Sequence, residues 1–511
     1  MKTKATFYNS ITNLFLYFIT ILLGIVNRWA IVRILGIQYQ GINSLFSNIL
    51  SMLSIAELGI GSAIIYHLYE PLEHKNVIEL KSLMLFYKKC YYAIALFILC
   101  IGVIFIPFLP LFVTENPTSY SISFIYIWFL FDVVISYLFT FKRSILIADQ
   151  KNYVITICDI LYQIIVKIGQ TIILFVTKSF IGYLAVMVLG RIIENFLINI
   201  IANRTYPFFK DKNVQAVSHE ILMDIKKKVS GAFFHKIGSF VVLGTDNLLI
   251  SRFLGLVTVG IYSNYYLVIS SIQNICSKTL TAATASVGHM LTEKNFNKNQ
   301  YIFKQLLILN GLFVTVGACG IYCISTPFIS LVFGAEYTIS QFTLLILSLN
   351  MYLQGTRVVY SIFKEAAGIL YEDRFVPLIE SFINIFMSIL LVKYFGLAGI
   401  FMGTITSTMI LYSYTFPFLV VKKILNISIK NYWMTFCWMF ITMLLCLQFS
   451  YKICTVINTK FFLDGSSIYS IIVNCIVVVF ISSGMYYLMF ALWQKELNGL
   501  IKRLRTYFPI F

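Results

Sequence analysis

The chain has 511 residues, of which 59% are hydrophobic and only 12% charged, with a mean hydropathy of +0.85. Soluble domains carry about 25% charged residues, so this composition excludes a soluble enzyme or a string of soluble domains. The 39 Lys and Arg against 21 Asp and Glu give a net charge of +18, but the cations gather in short segments between long apolar runs. That is the positive-inside pattern of a membrane protein, and it excludes a nucleic-acid binder.

In chain order, Met1–Ser10 carries Lys2 and Lys4, followed by an apolar stretch that runs past Leu23 to Leu35. A signal peptide has a shorter apolar core and a small-residue cleavage site, so this stretch is read as a first, retained span. The sequence then predicts fourteen spans in all, at 9–35, 41–67, 83–113, 120–147, 153–176, 180–203, 231–253, 257–290, 301–324, 338–363, 375–393, 397–421, 431–456 and 467–493. With the N-terminus inside, outer loops hold few cations (Arg33, Lys178, Arg252, Lys393, Lys452 and Lys460), and the inner loops hold most of the rest. Both termini are then cytoplasmic, as an even span count requires. No outer loop is long enough for an extracellular catalytic domain. The inner segment 204–230 holds Lys210, Lys212, Lys226, Lys227 and Lys228 with Ile221, Leu222 and Ile225. It reads as a basic amphipathic segment on an anionic leaflet or as a solvated linker. The ten cysteines lie in or at the ends of apolar runs without a CxxC pair, so no metal site is expected.

An internal repeat sets the organisation. The stretch Arg33-Ile-Leu-Gly36-Ile-Gln-Tyr-Gln-Gly41-Ile-Asn-Ser44 returns as Arg252-Phe-Leu-Gly255-Leu-Val-Thr-Val-Gly260-Ile-Tyr-Ser263, matching at Arg, Leu, both Gly, Ile and Ser with one constant offset. A weaker echo joins Phe180-Ile-Gly182 to Leu397-Ala-Gly399. An offset of six spans keeps orientation, so the halves form a parallel repeat of the kind found among secondary transporters. The expected fold is an all-α polytopic membrane protein with about fourteen transmembrane helices. Its parts are an N-terminal lobe at 1–215, a C-terminal lobe at 216–425, and two C-terminal helices with a basic cytoplasmic tail at 426–511. Gly36, Gly41, Gly255 and Gly260 are the expected turn and hinge positions, where glycine allows tight turns and close helix approach.

Ionisable groups inside a bilayer cost roughly 2.5–3.5 kcal/mol each on insertion scales and mark cavities or partners. Arg28, Glu57, Asp132, Lys167, Arg191, Glu194, His235, Lys236, Asp246, Lys278 and Arg357 fall within spans. Arg191 and Glu194 are spaced to pair with each other, and Lys167 and Lys278 are placed to snorkel. Asn13, Tyr17, Thr20, Gly24, Asn27 and Arg28 form one polar stripe on the first span, and His235, Ser239 and Asp246 share a face of the seventh. Two repeat-related polar faces predict a hydrophilic cavity between the lobes. Arginine suits a phosphate there because its fork gives bidentate hydrogen bonds.

The Arg-x-Leu-Gly-x4-Gly turn, its echo at 252–260, and Ala56-Glu57-Leu58-Gly59-Ile60-Gly61-Ser62-Ala63 leading to Tyr69-Glu70-Pro71-Leu72 resemble capsule and O-antigen repeat-unit flippases. These form the polysaccharide branch of the multidrug/oligosaccharidyl-lipid/polysaccharide exporter superfamily. The resemblance implies a two-lobed alternating-access transporter, not an enzyme, that moves undecaprenyl-pyrophosphate-linked oligosaccharide from the cytoplasmic to the outer leaflet of a bacterial cell membrane. It implies a cavity that holds the pyrophosphate and sugar, with Arg28, Arg33, Arg252, Arg357, Lys278 and Asn27 as candidates and aromatic faces for sugar stacking. The chain contains no GxxxxGK[ST] phosphate loop, so an H⁺ or Na⁺ gradient is the expected energy source, with Glu57, Asp132, Asp246 and His235 as candidate carriers. Membrane lipids and a polysaccharide polymerase complex are the expected partners; no nucleic acid, cofactor or metal is expected. The alternatives are a peptidoglycan-precursor flippase or cation-coupled drug exporter of the same superfamily, and, in a different class, a membrane polysaccharide polymerase or ligase.

Overall fold

The computed structural model describes residues 2–53, 57, 60–113, 115–207, 217–281, 283–369, 372–461, 467–490 and 498–499, with backbone alone for 2–16, 60, 62–63, 227–243, 279 and 285. Regular structure in it is helical. The helices are α1 (Lys2–Ile34), α2 (Ile37–Leu53), α3 (Ile60–Glu73), α4 (Val77–Phe105), α5 (Ile122–Leu138), α6 (Thr140–Ala148), α7 (Asn152–Thr177) and α8 (Phe180–Thr205). They continue as α9 (His219–Thr281), α10 (Thr284–Thr292), α11 (Phe296–Val332), α12 (Gln341–Ala366), α13 (Val376–Phe395), α14 (Leu397–Ile410), α15 (Ile429–Phe461) and α16 (Ile468–Met489). A π-helical stretch, Leu411–Lys422, prolongs α14.

Local chemistry explains many of these boundaries. Asn76, Ser121, Ser179, Asn295, Ser340 and Ser467 each precede a helix, and the side-chain oxygen of each accepts a backbone N–H of the first turn. Such a cap satisfies a donor that the helix itself leaves open. At the other end, Lys178 closes α7 in the left-handed region (φ 51°) and Gly396 closes α13 (φ 56°).

The repeat motif has a physical meaning in both copies. Gly36 lies between α1 and α2 with φ 106°, and Gly255 breaks α9 with φ 83°. Side chains rarely adopt these values. Gly41 and Gly260 face each other: a Cβ on Gly41 would overlap the Leu256 carbonyl, and one on Gly260 the Ile37 carbonyl. Here α2 and the second part of α9 touch backbone to backbone, the close approach that small residues allow in membranes.

Ten described helices are long and apolar enough to cross a membrane, or eleven if α5 and α6, bent by 42°, form one span. The expected fourteen thus rests on shorter or more polar helices as well, such as α2, α3 and α12. Exposed Val176, Phe382, Tyr394 and Phe480 are each more than 70% accessible. Large apolar side chains in that state need lipid around them.

The chain divides into two compact units, Met1–Gly260 and Ile261–Phe511. In unit 1, α7 packs on α1 and α8, and α5 packs on α4 and α8. In unit 2, α13 packs on α14, α11 on α12, and α16 on α11 and α15. Ile308, Met439, Tyr486 and Phe490 join α11, α15 and the end of α16 in one apolar cluster. The ten cysteines are free thiols, four of them (Cys319, Cys323, Cys446 and Cys454) buried on α11 and α15.

Candidate functional site

Two polar sites stand out in unit 1. The first lies where α1 meets α7 and α8. The buried Asn27 amide donates to the Lys167 carbonyl (3.3 Å), to Gln170 (3.4 Å) and to Thr171 (3.4 Å), while Tyr183 donates to its oxygen (3.0 Å). Asn27 thus knits three helices together. Its neighbour Arg28 is half-buried and lies near enough to Lys167 for their charges to act on each other. Among the described residues no carboxylate pairs with Lys167. Two cations within electrostatic range of each other, on α1 and α7, form a region that favours an anion.

The second is a cavity of about 470 Å³ lined by Glu57, Tyr137, Arg143, Asp159, Tyr162, Gln163, Arg191 and Glu194, among others. Glu194 is buried and bridges two guanidinium groups, Arg143 at 2.7 Å and Arg191 at 2.8 Å. Arg143 also holds Asp159 (2.7 Å), and Arg191 reaches Asp132 (3.4 Å). The Arg191 guanidinium lies 4.4 Å from the Tyr162 ring centre. On the cavity's far side Tyr91 donates to Glu57 at 3.0 Å. Three carboxylates, Glu57, Asp159 and Glu194, thus line the cavity with two guanidinium groups, and Asp132 backs Arg191. Helix bending assembles it: the break between α5 and α6 brings Arg143 to face α7 and α8.

The structure therefore gathers Glu57 and Asp132 into one cluster and pairs Arg191 with Glu194 as their spacing suggested. Asp246 sits apart on α9, with one buried carboxylate oxygen lacking a hydrogen bond. His235 also lies on α9, but its side chain is outside the described residues, as are those of Lys236, Lys227 and Lys228 and, within the basic segment, residues 208–216 with Lys210 and Lys212. Arg33, Arg252 and Lys278 are exposed. Arg357, in unit 2, is held by Gln354 (2.9 Å) and Glu380 (3.3 Å). Gly36, Gly41, Gly255 and Gly260 occupy the turn and crossing positions described above.

Sequence reasoning passed over Arg143 and Asp159. Both fall inside predicted spans, Arg143 in 120–147 and Asp159 in 153–176, without being singled out among the ionisable groups there. The one available signal was that Arg143 lies between apolar Phe141 and Ile145-Leu146 rather than among loop residues. Lys167 had been read as a snorkelling lysine; in the structure it is half-buried beside Arg28.

The apolar helices of span length and their exposed apolar side chains define a multi-pass membrane protein. The solved structure of "Lipid II flippase MurJ, inward closed conformation" superposes with a TM-score of 0.67 at 16% identity, covering 94% of this chain and 99% of that one. An inward-facing multidrug resistance MATE family transporter of the MOP superfamily matches with a TM-score of 0.56 at 14% identity, over 78% of this chain and 94% of that one. At these identities the likeness establishes the fold. No curated protein matches by sequence. Residues 7–285, more than half of the chain, match the family described as "Polysaccharide biosynthesis protein", and the chain belongs to that family.

Proposed function

We propose that the protein is a flippase for polyprenyl-pyrophosphate-linked oligosaccharide repeat units. It moves them from the cytoplasmic to the outer leaflet of a bacterial cell membrane by alternating access, for capsule or O-antigen export. The observation that carries the reading is Arg28 with Lys167: two cations within electrostatic range of each other in a membrane-embedded bundle suit a diphosphate and have little use in a transporter of neutral or cationic cargo. Arg252 and Arg33, exposed and related by the repeat, add a second cationic position. The membership of a polysaccharide biosynthesis family supports a saccharide cargo. Arg357 and Lys278 are secondary cationic candidates.

In this mechanism the lipid tail stays in the bilayer. Arg28 and Lys167 hold the diphosphate, and aromatic faces receive the sugars. Energy comes from an H⁺ or Na⁺ gradient. The carboxylates of Glu57, Asp159 and Glu194 in the unit 1 cavity, with Asp132 behind Arg191, support cation uptake there; Asp246 and His235 are further candidates. Both termini are cytoplasmic, and a polymerase complex receives the product.

The test uses a deletion strain. Lipid-linked saccharides are extracted after treating cells with a membrane-impermeant sugar-oxidising probe. Single repeat units shielded from the probe are the expected result. Single units open to the probe from outside would show that flipping continues, and would make the protein a polymerase or ligase instead.

A further inference from the structure

Unit 2 contains a larger cavity, about 580 Å³, that the proposed transport does not use. It lies between the start of α11, the end of α12, the π-helical stretch and α15, with Phe303, Lys304, Tyr360, Tyr432, Thr435 and Trp438 in its wall. Phe303, Tyr360 and Tyr432 are buried and form its floor. The polar atoms of several walls are engaged elsewhere. Tyr432 donates its hydroxyl to the Tyr412 carbonyl (2.8 Å), Trp438 its indole N–H to the Met489 carbonyl (3.2 Å), and Gln300 its amide to the Leu425 carbonyl (2.8 Å). The floor therefore offers apolar ring faces. Met434, Trp438 and Ile441 are exposed along one side, so the cavity opens sideways, through a surface that faces lipid.

The rim differs in chemistry. Lys304 is the cation in the cavity wall, and exposed Lys422 and Lys430 directly adjoin the lining residues Val421 and Asn431 in sequence. No carboxylate lines the cavity among the described residues. A narrow apolar body under a basic rim has the chemistry of an acyl chain below an anionic head.

We propose that this cavity binds one anionic glycerophospholipid of the surrounding membrane, with an acyl chain against Phe303, Tyr360 and Tyr432 and its phosphate at Lys304 and Lys430. The site is independent of the flippase reading and of the unit 1 cavity. The occupant is a bilayer phospholipid, the anionic lipid in greatest excess at such an opening; the polyprenyl carrier is an outcome of the test below.

The full-length protein is purified in a mild detergent and examined by native mass spectrometry with phosphatidylglycerol or phosphatidylcholine added. The wild type should keep one phosphatidylglycerol with a roughly tenfold preference over phosphatidylcholine. The K304Q/K430Q variant should lose that preference, and Thr435→Trp, which fills the cavity, should lose retention while its melting temperature stays near wild type. Phosphatidylglycerol with a photoreactive acyl chain should label the wild-type α15 peptide containing Met434 and Trp438, a readout that does not depend on either variant folding. Labelling elsewhere only, equal binding of the two lipids by the wild type, or full retention by a folded Thr435→Trp would overturn the proposal. So would complete displacement of phosphatidylglycerol by equimolar undecaprenyl phosphate, which would make the carrier lipid the occupant.

Discussion

In unit 1, Arg143 and Arg191 reach Glu194 from two helices, and the group borders a cavity of about 470 Å³. In unit 2, the spacing that carries Phe180-Ile-Gly182 to Leu397-Ala-Gly399 carries Arg191 to Thr408 and Gln163 to Glu380. There Arg357 meets Glu380, Thr408 donates to the same carboxylate (3.4 Å), and Gln354 donates to Thr408 (3.0 Å). Glu380 is as buried as Glu194, but its hydrogen-bond partners among the described residues are one cation, Arg357, and one hydroxyl, Thr408. The packing differs as well. A Cβ on Gly399 would overlap the Leu391 backbone, and one on Gly403 the Ser388 backbone, whereas in unit 1 Gly182 and Gly190 approach only the side-chain ends of Ile173 and Val166. Asn384 and Ser388 add hydrogen bonds to Thr404 and Ile400 across the α13–α14 contact. One helix plan thus serves two ends: in unit 1 it holds charges around space, and in unit 2 it closes around them.

The largest expected effect tests the unit 1 cluster. Glu194→Ala leaves two guanidinium groups without their shared carboxylate, and breaking a buried ion pair costs about 3–5 kcal/mol. Glu380→Gln keeps a hydrogen-bonding amide beside a single cation and should cost less, about 1–3 kcal/mol. Unfolding in detergent compares the two; equal losses would remove the distinction between the units. Next come Arg28→Ala and Lys167→Ala. Loss of one charged hydrogen bond to the cargo, about 1.5–3 kcal/mol, corresponds to a tenfold to hundredfold fall in flux, with insertion and melting temperature near wild type. Wild-type flux in a polymer-export complementation assay would remove Arg28 from the site.

A smaller effect concerns packing. Gly399→Ala must push backbone aside and should cost about 1–3 kcal/mol. Gly182→Ala meets only a methyl group and should cost less than about 1 kcal/mol. The smallest concerns the loops before α7 and α13. In unit 2, Lys364 and Asp373 pair at 2.6 Å with Asp373 buried; in unit 1, the half-exposed Asp149 accepts from Lys151 (2.6 Å) and Tyr206 (2.6 Å). Partial burial pushes the Asp149 carboxyl up, but the hydrogen bonds from Lys151 and Tyr206 and the charge of Lys151 outweigh it and hold the group below its ordinary value. Its contribution is therefore present above the unfolded carboxylate value of about 3.9 and is lost as pH falls through the lower folded value. Asp149→Asn should flatten that acid limb of the melting curve slightly and leave neutral pH unchanged.

The helices and the repeat were legible because both follow from local rules. Apolar runs of span length locate every long helix, and the shared glycines locate the two positive-φ breaks and the Gly41–Gly260 crossing. The ion-pair cluster was legible only in part. Arg191 and Glu194 sit one helical turn apart, so their pairing is a property of α8 alone. The reach of Arg143 to the same carboxylate depends on the 42° bend between α5 and α6, and an apolar sequence encodes such a bend weakly. The pairing of Arg28 with Lys167 likewise depends on which faces of α1 and α7 meet. Short helices such as α2 and α3, of 17 and 14 residues, blur a span count, since length and hydropathy alone pass ten or eleven helices.

The Gly41–Gly260 crossing bears on how such a molecule moves. Contacts between side chains yield gradually, because rotamers readjust as helices slide. Two backbones in contact have nothing to readjust. Parting α2 from α9 here must therefore give up backbone contact outright rather than ease it by rotamer changes.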